Sequence, residues 1–244
     1  MKTKWVSKVL CGLLCTGLLC GFAALPAEEN AGLVPRQFQT AQQVDRISIE
    51  DAISDVTIRT ADTDYITVDY ADTDEKPFYT ISVEDGLLRI QTGSLGKMGG
   101  RMVSAQSNRD LVITLPQKQY QELSAALAVG TLTVEGVKAA QLTAESTVNT
   151  VELSGIQADQ LNAASAVGKV TLQDSRIGNA EIKGTVGGVA VENVTASGRL
   201  TVNSAVGEIS LEDVTAYELI VLSVLGQISW ENVEAPYSTQ ASIF

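Results

Sequence analysis

The sequence predicts an all-β protein built as a single-stranded parallel β-helix. Three observations predict it. A glycine-centred phrase recurs at a short, nearly constant spacing, apolar residues hold fixed offsets from that glycine, and the sense of their alternation reverses three times in each copy. The phrase reads LNAASAVGKVTLQDS at 161–175, LTVNSAVGEISLEDV at 200–214 and LIVLSVLGQISWENV at 219–233. With the central glycine as position zero, the column is Gly130, Asn149, Gly168, Gly187, Gly207 and Gly226, at spacings of 19, 19, 19, 20 and 19 residues. A fixed short period marks a solenoid, in which each copy buries its apolar face only by stacking on its neighbours.

Residues 1–27 read as a secretory signal peptide. Lys2, Lys4 and Lys8 give a basic start, an apolar run extends from Val9 to Leu25, and Pro26-Ala27 precede the acidic Glu28-Glu29. Two alternatives stand beside this reading. The run of 17 residues sits at the lower limit for spanning a bilayer, which is the case for a retained anchor. Cys11, Cys15 and Cys20 raise the case of a lipoprotein, but each follows a leucine where a lipid-modified cysteine normally follows a small residue. All three cysteines lie in this segment, and the chain has no histidine. A cleaved chain therefore has no thiol nucleophile, no thiolate metal site and no disulfide framework. Loss of three lysines moves its formal charge from −12 to −15. Such acidity argues against nucleic acid and against direct attraction to anionic lipid, so membrane contact is expected only through an uncleaved N-terminal segment.

Residues 28–43 show no apolar period and read as a linker. Residues 44–119 read as a less regular β region of the same domain, with short alternating strands at 47–49, 56–58, 65–70, 78–83, 87–91 and 111–115. These strands form one end of the coil or its first rungs. The stretch GSLGKMGGRMVSAQSNRD at 93–110 interrupts them and reads as a loop.

Residues 120–235 hold about six regular rungs. Leucine dominates seven places before zero (Leu123, Leu142, Leu161, Leu200, Leu219), small or branched residues stand five before, and valine or leucine stands one before (Val129, Val148, Val167, Val186, Val206, Leu225). These odd offsets predict one inward face. After the glycine the apolar positions become plus two and plus four, then plus seven, each change of parity marking a corner. Position plus six carries Gly136, Gly155, Asp174, Asn193, Asp213 and Asn232, residue types that accept a left-handed backbone, as the glycine column does. Three corners give a three-sided coil. Residues 236–244 read as a C-terminal cap, with Trp230 and Ile243-Phe244 closing that end.

A strand ending LVITLP at 111–116, followed by repeats of the form L-x-V-x-S-x-V-G-x-[VI]-x-L-x-[DN]-V, resembles the bacterial putative-adhesin family over residues 44–235. The resemblance implies a β-helical domain of unknown function, exported or membrane-tethered, with a right-handed coil. Some members are encoded near envelope-stress regulators. It carries over no catalytic motif.

Four features bear on chemistry. Glu192, Glu212 and Glu231 recur at plus five and would stack about 5 Å apart. A calcium ion bridging two of them would relieve their repulsion, while glutamates splayed into solvent need no ion. ADTD occurs at 61–64 and again at 71–74, and reads as turns around a strand rather than a metal loop. Lys97, Arg101 and Arg109 make the 93–110 loop basic within an acidic chain, which suits an anionic partner or a plain insertion. Ser146, Ser165, Ser204 and Ser223 stand three before zero, on the inward parity, where bonding to backbone explains them better than nucleophilic catalysis.

The expected function is therefore non-catalytic: an exported, envelope-associated β-helix that binds or scaffolds, with a cell-wall polymer, surface glycan or envelope protein as partner. A polysaccharide lyase or hydrolase would need carboxylates and cations converging on one outer groove, and no irregular rung with such a cluster is evident in the sequence. A sensory partner for an envelope regulator rests on the family context alone.

Overall fold

The computed structural model describes residues 33–74, 77–93 and 109–242, and among them every regular element is a strand. The N-terminal strands are β1 (Val34–Thr40), β2 (Arg46–Asp51), β3 (Asp55–Ala61), β4 (Ile66–Asp72), β5 (Tyr79–Glu84), β6 (Leu87–Thr92) and β7 (Asp110–Pro116). The repeats supply β8 (Gln119–Val129), β9 (Leu132–Glu135), β10 (Lys138–Val148), β11 (Val151–Ser154), β12 (Gln157–Val167), β13 (Val170–Val186), β14 (Val189–Val206), β15 (Ile209–Leu225) and β16 (Ile228–Glu231), and β17 (Tyr237–Ser242) follows.

From β8 onward each turn pairs in parallel with the turn one repeat away. Leu142 aligns with Leu123 and Leu161, Val151 with Leu132 and Val170, and Val194 with Ser175 and Val214. The aligned leucines and valines are almost wholly buried and fill the coil's interior. Each buried aliphatic side chain contributes roughly 1.5–3 kcal/mol.

The corners fall where the alternation reverses. Every residue of the glycine column has positive φ, from 110° at Asn149 to 156° at Gly226, and the plus-six column lies in the left-handed region, from 50° at Asp174 to 67° at Gly136. Hydrogen bonding continues through the first corner: the Gly187 N–H donates to the Val206 carbonyl at 2.8 Å, and the Gly207 N–H to the Leu225 carbonyl at 2.8 Å.

One column departs from its expected facing. The residues one before zero point outward, and Val129, Val148, Val167, Val186, Val206 and Leu225 are 43–54% exposed. The corner begins two residues before position zero. Thr147 and Val148 are both exposed after the buried Ser146, and parallel register passes from Ser146–Ser165 directly to Val148–Val167. The alternation is thus broken before zero, leaving an apolar ridge along the outside of the coil.

The N-terminal strands are both rungs and cap. β2 and β3 form a rung beneath β8 and β9, with Ile47 against Leu123 and Val56 against Leu132. Their other edges pair in parallel with β6 and β7. The earliest rung in sequence is therefore sandwiched between two later ones. β5 then runs antiparallel to β6, β4 antiparallel to β7, and β1 antiparallel to β4. Residues 34–40, expected as part of a linker, are thus an edge strand. Arg36 ion-pairs with Asp74, and Gln37 donates to Asp69 at 2.7 Å, polar contacts that fix an otherwise exposed strand.

Trp230 does not close the C-terminal end. It aligns with Leu211 on one side only and is 40% exposed, because no further rung covers it among the described residues. Ile243 and Phe244 lie outside the described residues. β17, within the segment expected as a C-terminal cap, extends the sheet parallel to β15.

Candidate binding groove

The one 20-residue turn among the repeats borders an outer groove. The turn from Gly187 to Gly207 has 20 residues, and its extra residue falls at the third corner, where the register between β14 and its neighbours shifts near Ile177/Ala180 and Ala196/Arg199. Gly198 permits this crowding: a Cβ there would meet the Asn179 Oδ1 at 2.4 Å. The Asn179 amide oxygen instead accepts the Arg199 N–H at 2.9 Å, pinning the bulge to the turn before it.

The groove holds roughly 650 Å³ and is lined on its polar side by Gln160, Asn162, Asn179, Glu181, Arg199, Tyr217 and Glu218. Parallel register sets these in two rows: Gln160 beside Asn179 and Arg199 beside Glu218 in one, Asn162 beside Glu181 and Glu181 beside Thr201 in the other. The Arg199 Nε donates to Glu218 at 2.8 Å, and Lys183 pairs with Glu181 at 2.8 Å. Tyr217 is 57% exposed and packs edge-on to Tyr237, with ring centroids 5.3 Å apart. The result is an open trough with amides, carboxylates, one guanidinium and an aromatic face.

None of these residues was singled out from the sequence, whose rungs read as uniform. The signal available was the one 20-residue spacing, with Gly198 just before the leucine of that turn.

The residues that were singled out lie elsewhere. Glu192, Glu212 and Glu231 do stack by register and are exposed, and Gln173 donates to Glu192 at 3.2 Å. Among the described residues no group of three or more His, Cys, Asp or Glu side chains converges to hold a metal ion. The neighbouring plus-six column relieves its own charge by alternation: Asn193 donates to Asp174 at 2.5 Å, and Asn232 to Asp213 at 3.0 Å. Lys97 and Arg101 lie outside the described residues. Arg109 is not a solvent-facing cation of the loop. It is 7% exposed, its guanidinium stacks 4.2 Å from the Phe78 ring centroid, and its Nε has no hydrogen-bond partner.

The inward serines brace the glycine corners. Ser165 donates to the Asn149 carbonyl at 2.8 Å, and Ser146 to the Gly130 carbonyl at 3.1 Å. The second ADTD is a backbone clamp: the buried Asp72 accepts the N–H groups of Thr73 and Phe78 at 2.7 Å each and that of Tyr79 at 3.2 Å. Nearby, the Tyr79 hydroxyl bonds to Asp51 at 3.0 Å and to Ser54 at 2.6 Å. Burial first, and then the Asp51 carboxylate, push its pKa well above the usual phenol range.

The Toastrack DUF4097 family matches residues 44–232. This chain belongs to that family. Similar solved structures include a putative cell adhesion protein from Clostridium sporogenes, at 14% identity and TM-score 0.42, covering 83% of this chain and all of that one. A putative adhesin from Bacteroides fragilis matches at 13% identity and TM-score 0.39, over 88% of this Toastrack chain and 98% of its own. A putative lipid binding protein from Parabacteroides distasonis matches at 14% and TM-score 0.39, with the same coverage of both chains. No curated protein matches this Toastrack chain.

Proposed function

We propose that the protein is an exported, envelope-associated binding module of adhesin type that holds a strand of glycan or wall polymer in the outer groove without transforming it. The observation that carries the reading is the trough itself. Amide and carboxylate side chains in register supply paired donors and acceptors for vicinal hydroxyls, and the exposed Tyr217 offers a flat apolar face to a sugar ring. An open trough along stacked turns suits an extended chain better than a compact small molecule. The basic and apolar N-terminal segment supports export.

Sedimentation of the protein with isolated cell-wall polysaccharide tests this. Tyr217→Ala and Asn179→Ala should each weaken binding by tenfold or more, and a chelator should leave it unchanged. Loss with chelator would transfer the site to Glu192, Glu212 and Glu231. Unaltered binding by both variants would remove the groove from the reading. Glu181 and Glu218 on one groove favour a second reading as a lyase or hydrolase, since paired carboxylates are the usual machinery for glycosidic cleavage. Release of reducing ends, abolished by Glu181→Gln or Glu218→Gln, would establish it.

A further inference from the structure

We propose that the C-terminal end of the solenoid is a docking edge for an extended polypeptide segment that carries lysine or arginine, taken up as an added strand. β16 and β17 each pair with β15 and, among the described residues, with no strand on their other side. In a parallel ladder successive residues turn their backbone groups to opposite neighbours, so both strands present an unfilled set of N–H and C=O groups. Unpaired edges of this kind are templates for another chain.

The two ends of the coil differ. At the N-terminal end the antiparallel strands bury the interior, with Ile66 and Val68 at 3% and 0% exposure. At the C-terminal end the interior columns run out uncovered. Trp230 is 40% exposed, and with Leu219, Val233, Ala235 and Ser238 it lines a hollow of roughly 280 Å³. An incoming strand that alternates apolar and polar residues would set one face over this hollow.

Charge selects the occupant. From Leu200 to the end the sequence holds Glu208, Glu212, Asp213, Glu218, Glu231 and Glu234, and no lysine or arginine. A cationic strand meets a field of one sign, which raises its encounter rate and fixes its polar face. A second copy of this chain docked end to end would bring two acidic ends together, and like charges facing across a strand pair destabilise it. The mode is strand addition, in which backbone bonds give affinity and alternate side chains give selectivity.

The test uses the full chain and two nine-residue peptides, one alternating lysine with valine and one alternating glutamate with valine. Amide hydrogen exchange is followed with and without each. The lysine peptide should slow exchange at residues 228–231 and 237–242, and its affinity should fall at least tenfold on raising NaCl from 50 to 500 mM. The double variant Glu231→Lys/Glu234→Lys, both side chains exposed on the last turn, should lose that response and gain one to the glutamate peptide. Slowing by neither peptide, or equal slowing by both, would overturn the proposal. So would protection of the same residues that grows with protein concentration alone, which would assign the edge to a second copy.

Discussion

Two columns of corner residues run along this coil, both at positive φ, and Gly187 in one and Gly155 in the other make different demands. At Gly187 φ is 133°, and a Cβ would stand 2.1 Å from the Gly168 carbonyl oxygen and 2.6 Å from its carbon. Both neighbours are backbone, so relief requires the turns to part. At Gly155 φ is 64°, and a Cβ would meet nothing nearer than 3.5 Å. Gly187→Ala therefore combines a strained dihedral, worth about 1–3 kcal/mol, with overpacking against an adjacent turn, worth about another 1–3 kcal/mol. Together these amount to a loss of roughly 2–6 kcal/mol, which corresponds to a fall in Tm of roughly 4–24 °C for a domain of this size. Gly155→Asn should change stability by less than about 1 kcal/mol, because the left-handed conformation suits asparagine and a less flexible unfolded chain offsets the remaining strain. Scanning calorimetry of both variants beside the parent measures the contrast. Equal losses would refute the distinction between Gly155, which needs φ alone, and Gly187, which also needs the absence of a side chain against Gly168.

Three further outcomes are expected. Asn193→Asp would place three carboxylates in successive turns between Asp174 and Asp213, lowering stability by about 1–2 kcal/mol at low ionic strength; urea titrations should find most of that loss recovered in 1 M salt. Ser165→Ala removes the donor to the Asn149 carbonyl and should lower stability by about 1 kcal/mol, read from the urea midpoint with an unchanged slope. Alkali should unfold the protein: burial raises the pKa of Tyr79 and Tyr120 above the unfolded value, so the unfolded chain gives up those protons first. Their stabilisation is complete below about pH 10 and is lost as pH climbs toward the folded values. Absorbance of tyrosinate should then show two tyrosines ionising only together with the loss of far-ultraviolet structure, and Tyr79→Phe should flatten that alkaline slope.

The regular rungs were readable because one physical rule is written six times. The columns at minus seven, minus five, plus two and plus four turn inward as expected, and both glycine-type columns are corners. The valines before the glycine misled for a reason internal to the rule. Parity counts residues and assumes an unbroken strand, whereas the corner starts at Thr147 and its equivalents and turns Val148 outward. The groove escaped because it comes from one inserted residue whose neighbours, Asn179, Arg199 and Tyr217, repeat in no column. The N-terminal cap escaped for a third reason. Its pairings join Val34–Thr40 to Ile66–Asp72, and β2 to partners 41 and 76 residues away, and no local period records such distances.

The sandwiched position of β2 and β3 has a consequence for how the chain comes together. Each repeat after β9 can dock as soon as it exists, because its neighbour below is already in place, and such one-dimensional growth proceeds turn by turn. The strands at 46–61 enjoy no such order. They leave the ribosome before either neighbouring rung and wait for β6 and β7 below them and β8 and β9 above, so their edges stay open until about residue 135 has emerged. β2 and β3 thus act as a keystone: without them β6 and β7 on one side and β8 and β9 on the other would lose the rung that joins them.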